Sequence, residues 1–203
     1  TLEVTGSGNQ LHIISDDDLN LGRTAIASGH ASYPDGQRYQ QGALVRAEAK
    51  VHLQAADLID VGSAVQLMSS GRDSRIVIES GDLDVVGSIY AGATLAGDGE
   101  TIDWTATGAT VDIDVTELVT LGGLGVDNDT GQQVTRGGSI QATGGVDISV
   151  TGGSSETAIN VNALSSIKTD ATGRFDNEAG SGGLSGGNAS RIILSGDRNV
   201  QVY

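Results

Sequence analysis

The chain has 203 residues, a net charge of −15 from 26 acidic and 11 basic residues, no cysteine, one proline and 31 glycines. Clustered Lys and Arg are what neutralise phosphate, so this balance argues against nucleic acid and anionic lipid as partners, and no run of roughly 18 apolar residues exists to insert into a membrane as a helix. Aromatic residues make up 3%, too few for a core built on large rings; the Val, Ile, Leu and Ala that remain suit a narrow, strand-lined interior.

Taken in chain order, three short strand patterns recur. Residues 1–4 read as an opening first strand, and the same apolar–x–apolar text returns at 11–13, 51–53, 76–78, 111–113, 146–148 and 192–194. A second such triplet stands at 19–21, 59–61, 83–85, 119–121, 159–161 and 200–202. A third is read at 24–27, 63–66, 88–91, 139–142 and 166–169. Side chains alternate across a strand, so Ile, Val and Leu face one way and Asp, Asn, Thr and Gln the other. Two consecutive spacings of the first triplet are equal and the others differ, which means that loops vary while the strand section keeps its shape.

Each inner face is only two or three residues wide and cannot bury itself. Neighbouring units must cover it, as in stacked repeats. The expected fold is all-β, a right-handed parallel β-helix (β-solenoid) of about six coils with three short strands each and Gly-rich loop inserts, right-handed by the usual crossover preference. An antiparallel sandwich also has short strands with glycine turns, but it would not bring like motifs over like. Residues 1–203 read as one β-solenoid segment that starts without Met, as a processed or excerpted chain would. Leu2, Val4, Val200 and Val202 carry no polar cap and are candidate assembly edges, where the segment continues beyond both ends or pairs with another copy.

The inserts are expected as loops at 28–42, 92–110, 127–138 and 173–190. They hold Pro34, Tyr33 and Tyr39, the single tryptophan Trp104, and a glycine-rich run at 180–188. Trp104 and Phe175 are expected to pin their own loops.

Several residues invite a chemical reading. Gly183, Ser185 and Gly187 fit a nucleophile-elbow text, which works only on a sharp strand-to-helix turn beside a histidine; in a glycine run it is a chance match. His12 and His52 occupy the same outward slot and become neighbours if their strands stack. Residues 122–127 match the start of a calcium-binding nonapeptide, which makes Asp127 and Asp129 a speculative calcium turn. A plain Asx-rich turn is the alternative there, since Asp129 stands where a large apolar residue belongs. Asp16, Asp17 and Asp18 read as solvated acid at a turn between strands one and two, with a cation site as the alternative. Asp60 and Asp84 are outward residues at equivalent second-strand positions, so a carboxylate pair is geometrically open to them.

The text Gly-Ser-Ile-x-Ala at 87–91 and 138–142, with the recurrent apolar triplets around it, resembles the β-helical shafts of large bacterial surface exoproteins such as filamentous-haemagglutinin-like adhesins. The resemblance extends over most of the chain. It implies secretion, a shaft role and binding carried by loops or other domains, and it transfers no functional residue, because the shared pattern is packing. The inserts here are longer and richer in glycine than a regular shaft carries, which leaves a filament or matrix subunit open.

The expectation is therefore a structural or adhesive β-solenoid segment of a bacterial cell-surface or secreted filament, shaft or self-assembling subunit. It is expected to be extracellular, with no catalytic residue and no cofactor beyond calcium. Its partners would be other copies or neighbouring segments, surface glycans or host cells, with no nucleic acid and no membrane insertion. The alternative is a carbohydrate-active β-helix enzyme on an acidic polysaccharide, with Asp60 and Asp84 as its carboxylates. A flat Thr/Asn face for ice or mineral is disfavoured by the mixed outward residues.

Overall fold

The computed structural model describes residues 1–6, 8–99, 101–170, 183–186 and 190–203, and these contain strands and turns but no helix. Most strands lie in two sheets whose internal pairings are all parallel, one of seven strands and one of ten. The ten-stranded sheet carries two rows. Its first row is Gln10–Ser15, Lys50–Ala55, the leading part of Arg75–Val85 and of Thr110–Leu121, Gly145–Val150 and Arg191–Gly196. Its second row is Leu19–Leu21, Leu58–Val61, the trailing part of the same two long strands, Thr157–Val161 and Asn199–Val202. The seven-stranded sheet is the third row: Leu2–Val4, Ala43–Ala47, Val65–Ser69, Ser88–Ala91, Ser139–Ala142, Ser166–Thr169 and Gly183–Gly186. From Leu2 to Thr169 the chain returns to the rows in the order third, first, second; Gly183–Gly186 then follows Ser166–Thr169 as a second consecutive third-row strand before Arg191–Gly196 enters the first row.

This parallel, in-register pairing puts like residues in columns. Leu11, Val51, Ile76, Val111, Val146 and Ile192 form one first-row column, and Ile13, Leu53, Ile78, Ile113, Ile148 and Leu194 the next. In the second row, Leu19, Ile59, Leu83, Val119, Ile159 and Val200 are aligned. Val45, Leu67, Ile89, Ile140 and Ile167 continue the pattern in the third. The central members of every column are fully buried and belong to one core cluster. Among the described residues no aromatic ring enters that core. Strands about 4.8 Å apart leave room for aliphatic chains to nest in columns, each worth roughly 1.5–3 kcal/mol on burial.

The glycine of the Gly-Ser-Ile-x-Ala text has a physical cause. It sits at the corner between second and third rows, where backbone packs on backbone. A Cβ on Gly87 would run into the carbonyl oxygens of Gly62 and Val65, and one on Gly138 into that of Val85.

Three expectations need correction. Thr24–Ile26 is not a third-row strand: it pairs antiparallel with Arg38–Gln40, leaving Ile26 67% exposed. The third-row place belongs to Ala43–Ala47, whose Val45 and Ala47 supply the inward pair that Ile89 and Ala91 supply later. Leu2–Val4 pairs with Val45–Ala47 and so lies in the third row, not the first. In the second unit the third-row strand is Val65–Ser69, displaced from 63–66 because Val65, Leu67 and Ser69 are the residues that face inward.

The inserts are more ordered than loops. Three are antiparallel hairpins, Thr24–Ile26 with Arg38–Gln40, Ala93–Leu95 with Ile102–Trp104, and Gly123–Val126 with Gln133–Arg136. The first and third leave the chain at the same corner, after the second row, and the remaining one leaves after the third row. Most of the insert expected at 173–190, including Phe175, lies outside the described residues.

Candidate functional site

The outward columns place the sequence-flagged residues. Asn20, Asp60, Asp84, Thr120, Asn160 and Gln201 stand in one second-row column. Asp60 and Asp84 are thus direct neighbours on adjacent strands. Loss of hydration, then the nearby Asp84 charge, pushes the Asp60 carboxyl above its ordinary value. Asp84 is raised by loss of hydration as well, against a hydrogen bond from Thr120 that holds it down. Asp82 beside them is raised by the same loss of hydration and then by Glu117. Two protonatable carboxyls side by side can share a proton, but no aromatic or basic residue stands in their column.

His12 and His52 are register partners, with ring centroids 5.0 Å apart in an edge-to-face arrangement. His52 Nε2 is buried without a hydrogen bond and lies 3.4 Å from Glu79 Oε2, an ion-pair distance when the ring carries a proton. Asp112, in the same outward column, pairs with Arg75 at 3.0 Å. Glu79 also lines an open cleft of about 480 Å³ with Gln54, Asp114 and Ser149.

Asp127 and Asp129 occupy the tip of the Gly123–Val126/Gln133–Arg136 hairpin. Asp127 Oδ1 accepts the backbone N–H groups of Asp129 and Thr130 at 2.9 and 3.0 Å, the geometry of an Asx turn. Those donors, Thr130 first, hold its carboxyl below the ordinary value, and Arg136 adds to the effect. Asn128 faces the other way and joins two inserts. Its carbonyl accepts from Gln37 Nε2 at 2.6 Å, and its Oδ1 accepts from the Gln40 N–H at 2.7 Å.

Carboxylates do converge at another place. One oxygen each of Asp17, Asp18 and Asp57 lies within 4.8 Å of the others, all exposed, the one such group of three among the described residues. Asp18 Oδ1 also accepts from the Leu58 N–H at 3.2 Å. Oxygen ligands of this kind suit a hard cation such as calcium. The sequence exposes the Asp run but hides Asp57; stacking Ile59 on Leu19 is the register that puts Asp57 opposite it.

The nucleophile-elbow text begins on Gly183–Gly186, a strand paired with Ser166–Thr169, and residue 187 lies outside the described residues. Ser185 is therefore on a strand rather than a strand-to-helix turn. Leu2 and Val4 stand at one end of the third-row columns, Val200 and Val202 at the other end of the second-row columns. Leu2, Val200 and Val202 are 52%, 40% and 42% exposed, because no strand among the described residues covers them.

The tryptophan lies at a cleft that sequence reasoning did not find. Trp104 is half-buried, meets Tyr90 edge-to-face with centroids 5.7 Å apart, and pairs with Ala93 across its hairpin. With Glu48, Ser70, Arg72, Thr105 and Thr107 it lines an open cavity of about 470 Å³. Glu48 and Arg72 stand in turns, where no periodicity marks them, and neither side chain has an ion-pair or hydrogen-bond partner among the described residues.

No family model, curated protein or solved structure matches this chain.

Proposed function

We propose that this chain is a stretch of right-handed parallel β-helix serving as a structural and adhesive segment of a bacterial cell-surface or secreted filament. The observation that carries the reading is the set of inward columns, in which equivalent triplets of successive units pair in parallel and in register. Right-handed coiling follows from the hand that parallel crossovers adopt. The backbone ladder would make the segment stiff along its axis, and the flanking hairpins would be its contact surfaces.

At its two ends, further coils of a longer chain or another copy would cover Leu2 and Val4 on one side and Val200 and Val202 on the other. Copies stacked end to end would set Asn199–Val202 on Leu19–Leu21 and Gly183–Gly186 on Leu2–Val4, since only like rows meet. Immunogold microscopy with an antibody against this chain is the test: label along surface or secreted fibres of the producing bacterium is expected, and label confined to the cell interior would refute the role.

A second reading, a carbohydrate-active β-helix enzyme, is favoured by one observation: Asp60 and Asp84 are adjacent carboxyls that both hold protons more tightly than usual. Acidic polysaccharides such as pectin and alginate are the substrates to screen. Turnover lost in Asp60→Asn would support this reading, and inertness of the unaltered chain on both would remove it.

A further inference from the structure

We propose that the cleft around Trp104 is a binding site for a short stretch of uncharged glycan. The inference deepens the adhesive reading above by naming the contact surface and its ligand class. Three features carry it.

The first is the indole itself. This is the only tryptophan of the chain, and the core takes no aromatic ring among the described residues. Trp104 instead stands half-buried at the wall of an open cavity of about 470 Å³, inside the roughly 300–1,000 Å³ range of small-ligand sites. Its ring face is electron-rich and attracts the partly positive C–H faces of a pyranose ring.

The second is the set of polar groups around it. Glu48 offers an acceptor and Arg72 a fork of donors, both without a hydrogen-bond or ion-pair partner among the described residues, and Ser70, Thr105 and Thr107 add hydroxyl-bearing walls. One acid and one base leave the cleft without net charge on a surface that is otherwise acidic. A phosphate-bearing or uronate ligand would meet one guanidinium and the repulsion of the rest of the molecule. A lipid tail would meet polar walls. A ring with many hydroxyls and no charge uses every group present.

The third is that the walls are fixed before a ligand arrives. Thr105 Oγ1 donates to the Ser70 carbonyl at 3.1 Å, the Asp73 N–H to the Thr107 carbonyl at 3.1 Å, and the Gly71 N–H to the Glu48 carbonyl at 2.7 Å. The base of the tryptophan hairpin is thereby tied to the turn that bears Arg72. Asp73 in that turn holds φ 54°, the one non-glycine residue with positive φ among those described. A rigid site loses less entropy on binding.

Because the indole is unique, tryptophan fluorescence reads this cleft directly. The full chain should be titrated with neutral gluco-, manno- and galacto-oligosaccharides, with oligogalacturonate and calcium chloride as contrasting probes. A saturable emission shift with at least one neutral series is expected. It should weaken tenfold or more in Arg72→Ala and in Glu48→Gln, substitutions of side chains that hold no hydrogen-bond or ion-pair partner among the described residues, with the far-ultraviolet circular dichroism unchanged. No shift with any neutral series, a response only to oligogalacturonate or calcium, or full binding in both variants would each overturn the proposal. Failure here leaves the immunogold result untouched, so a shaft that binds through another surface remains separable from a molecule that is no shaft.

Discussion

Consider replacing Ile113 by alanine, and separately Ile13, a residue of the same type in the same column. Ile113 is 1% exposed and lies between Ile78 and Ile148, both fully buried. Removing three carbons forfeits about 2.4 kcal/mol at roughly 0.8 kcal/mol per carbon. The gap left cannot close, because the backbone hydrogen bonds on both sides hold the strands about 4.8 Å apart. The cavity raises the loss to about 3–4 kcal/mol. Ile13 ends the column, is half-buried and has only Leu53 beside it there. Its truncation costs about 1 kcal/mol, since half the transfer gain was never made and no enclosed void forms. Urea unfolding followed by far-ultraviolet circular dichroism measures both. Equal losses at the two positions would refute the column argument, because nesting between two neighbours is what separates them.

Gly138→Ala should lower stability by about 2 kcal/mol or more, since its Cβ meets the Val85 carbonyl, while Gly97→Ala, with open space around it, should leave the melting temperature unchanged. The raised carboxyls Asp60 and Asp84 bind protons better folded than unfolded. Their contribution to stability is therefore greatest at or below the ordinary pKa of 3.8 and falls as pH rises through the raised folded values. Asp84→Asn should flatten that part of the melting-temperature profile, and an unchanged difference between variant and parent from pH 7 down to that window would contradict it. Asn128→Ala removes the acceptor for the Gln40 N–H and should speed hydrogen exchange at that amide by about tenfold, one hydrogen bond's worth of local protection; an unaltered rate would show that the two hairpins do not clasp.

The inward residues were legible because alternation exposes them: nearly every fully buried Ile, Leu and Val was marked by its triplet. What alternation cannot tell is which neighbour a triplet pairs with. Thr24, Ala25 and Ile26 have the right text, yet a hairpin partner fourteen residues on captures them. Leu2 and Val4 were readable as inward residues but not by row, since the rows differ in their corners rather than in their strands. The corner glycines were the better guide, because Gly87 and Gly138 answer to backbone contacts that a side chain would break. Asp57 could have been matched to Asp17 by register alone. Glu48 and Arg72 could not, because turns brought beside a hairpin by folding leave no periodic trace.

The three hairpins enter and leave through paired positions, Thr24 with Gln40, Ala93 with Trp104 and Gly123 with Arg136. Each excursion therefore begins and ends at one point of the scaffold, and whatever lies between need not fit anything inside. Natural variation can lengthen, shorten or exchange these appendages with little penalty to the scaffold, and so can an engineer who wishes to display a foreign peptide at a chosen height along it.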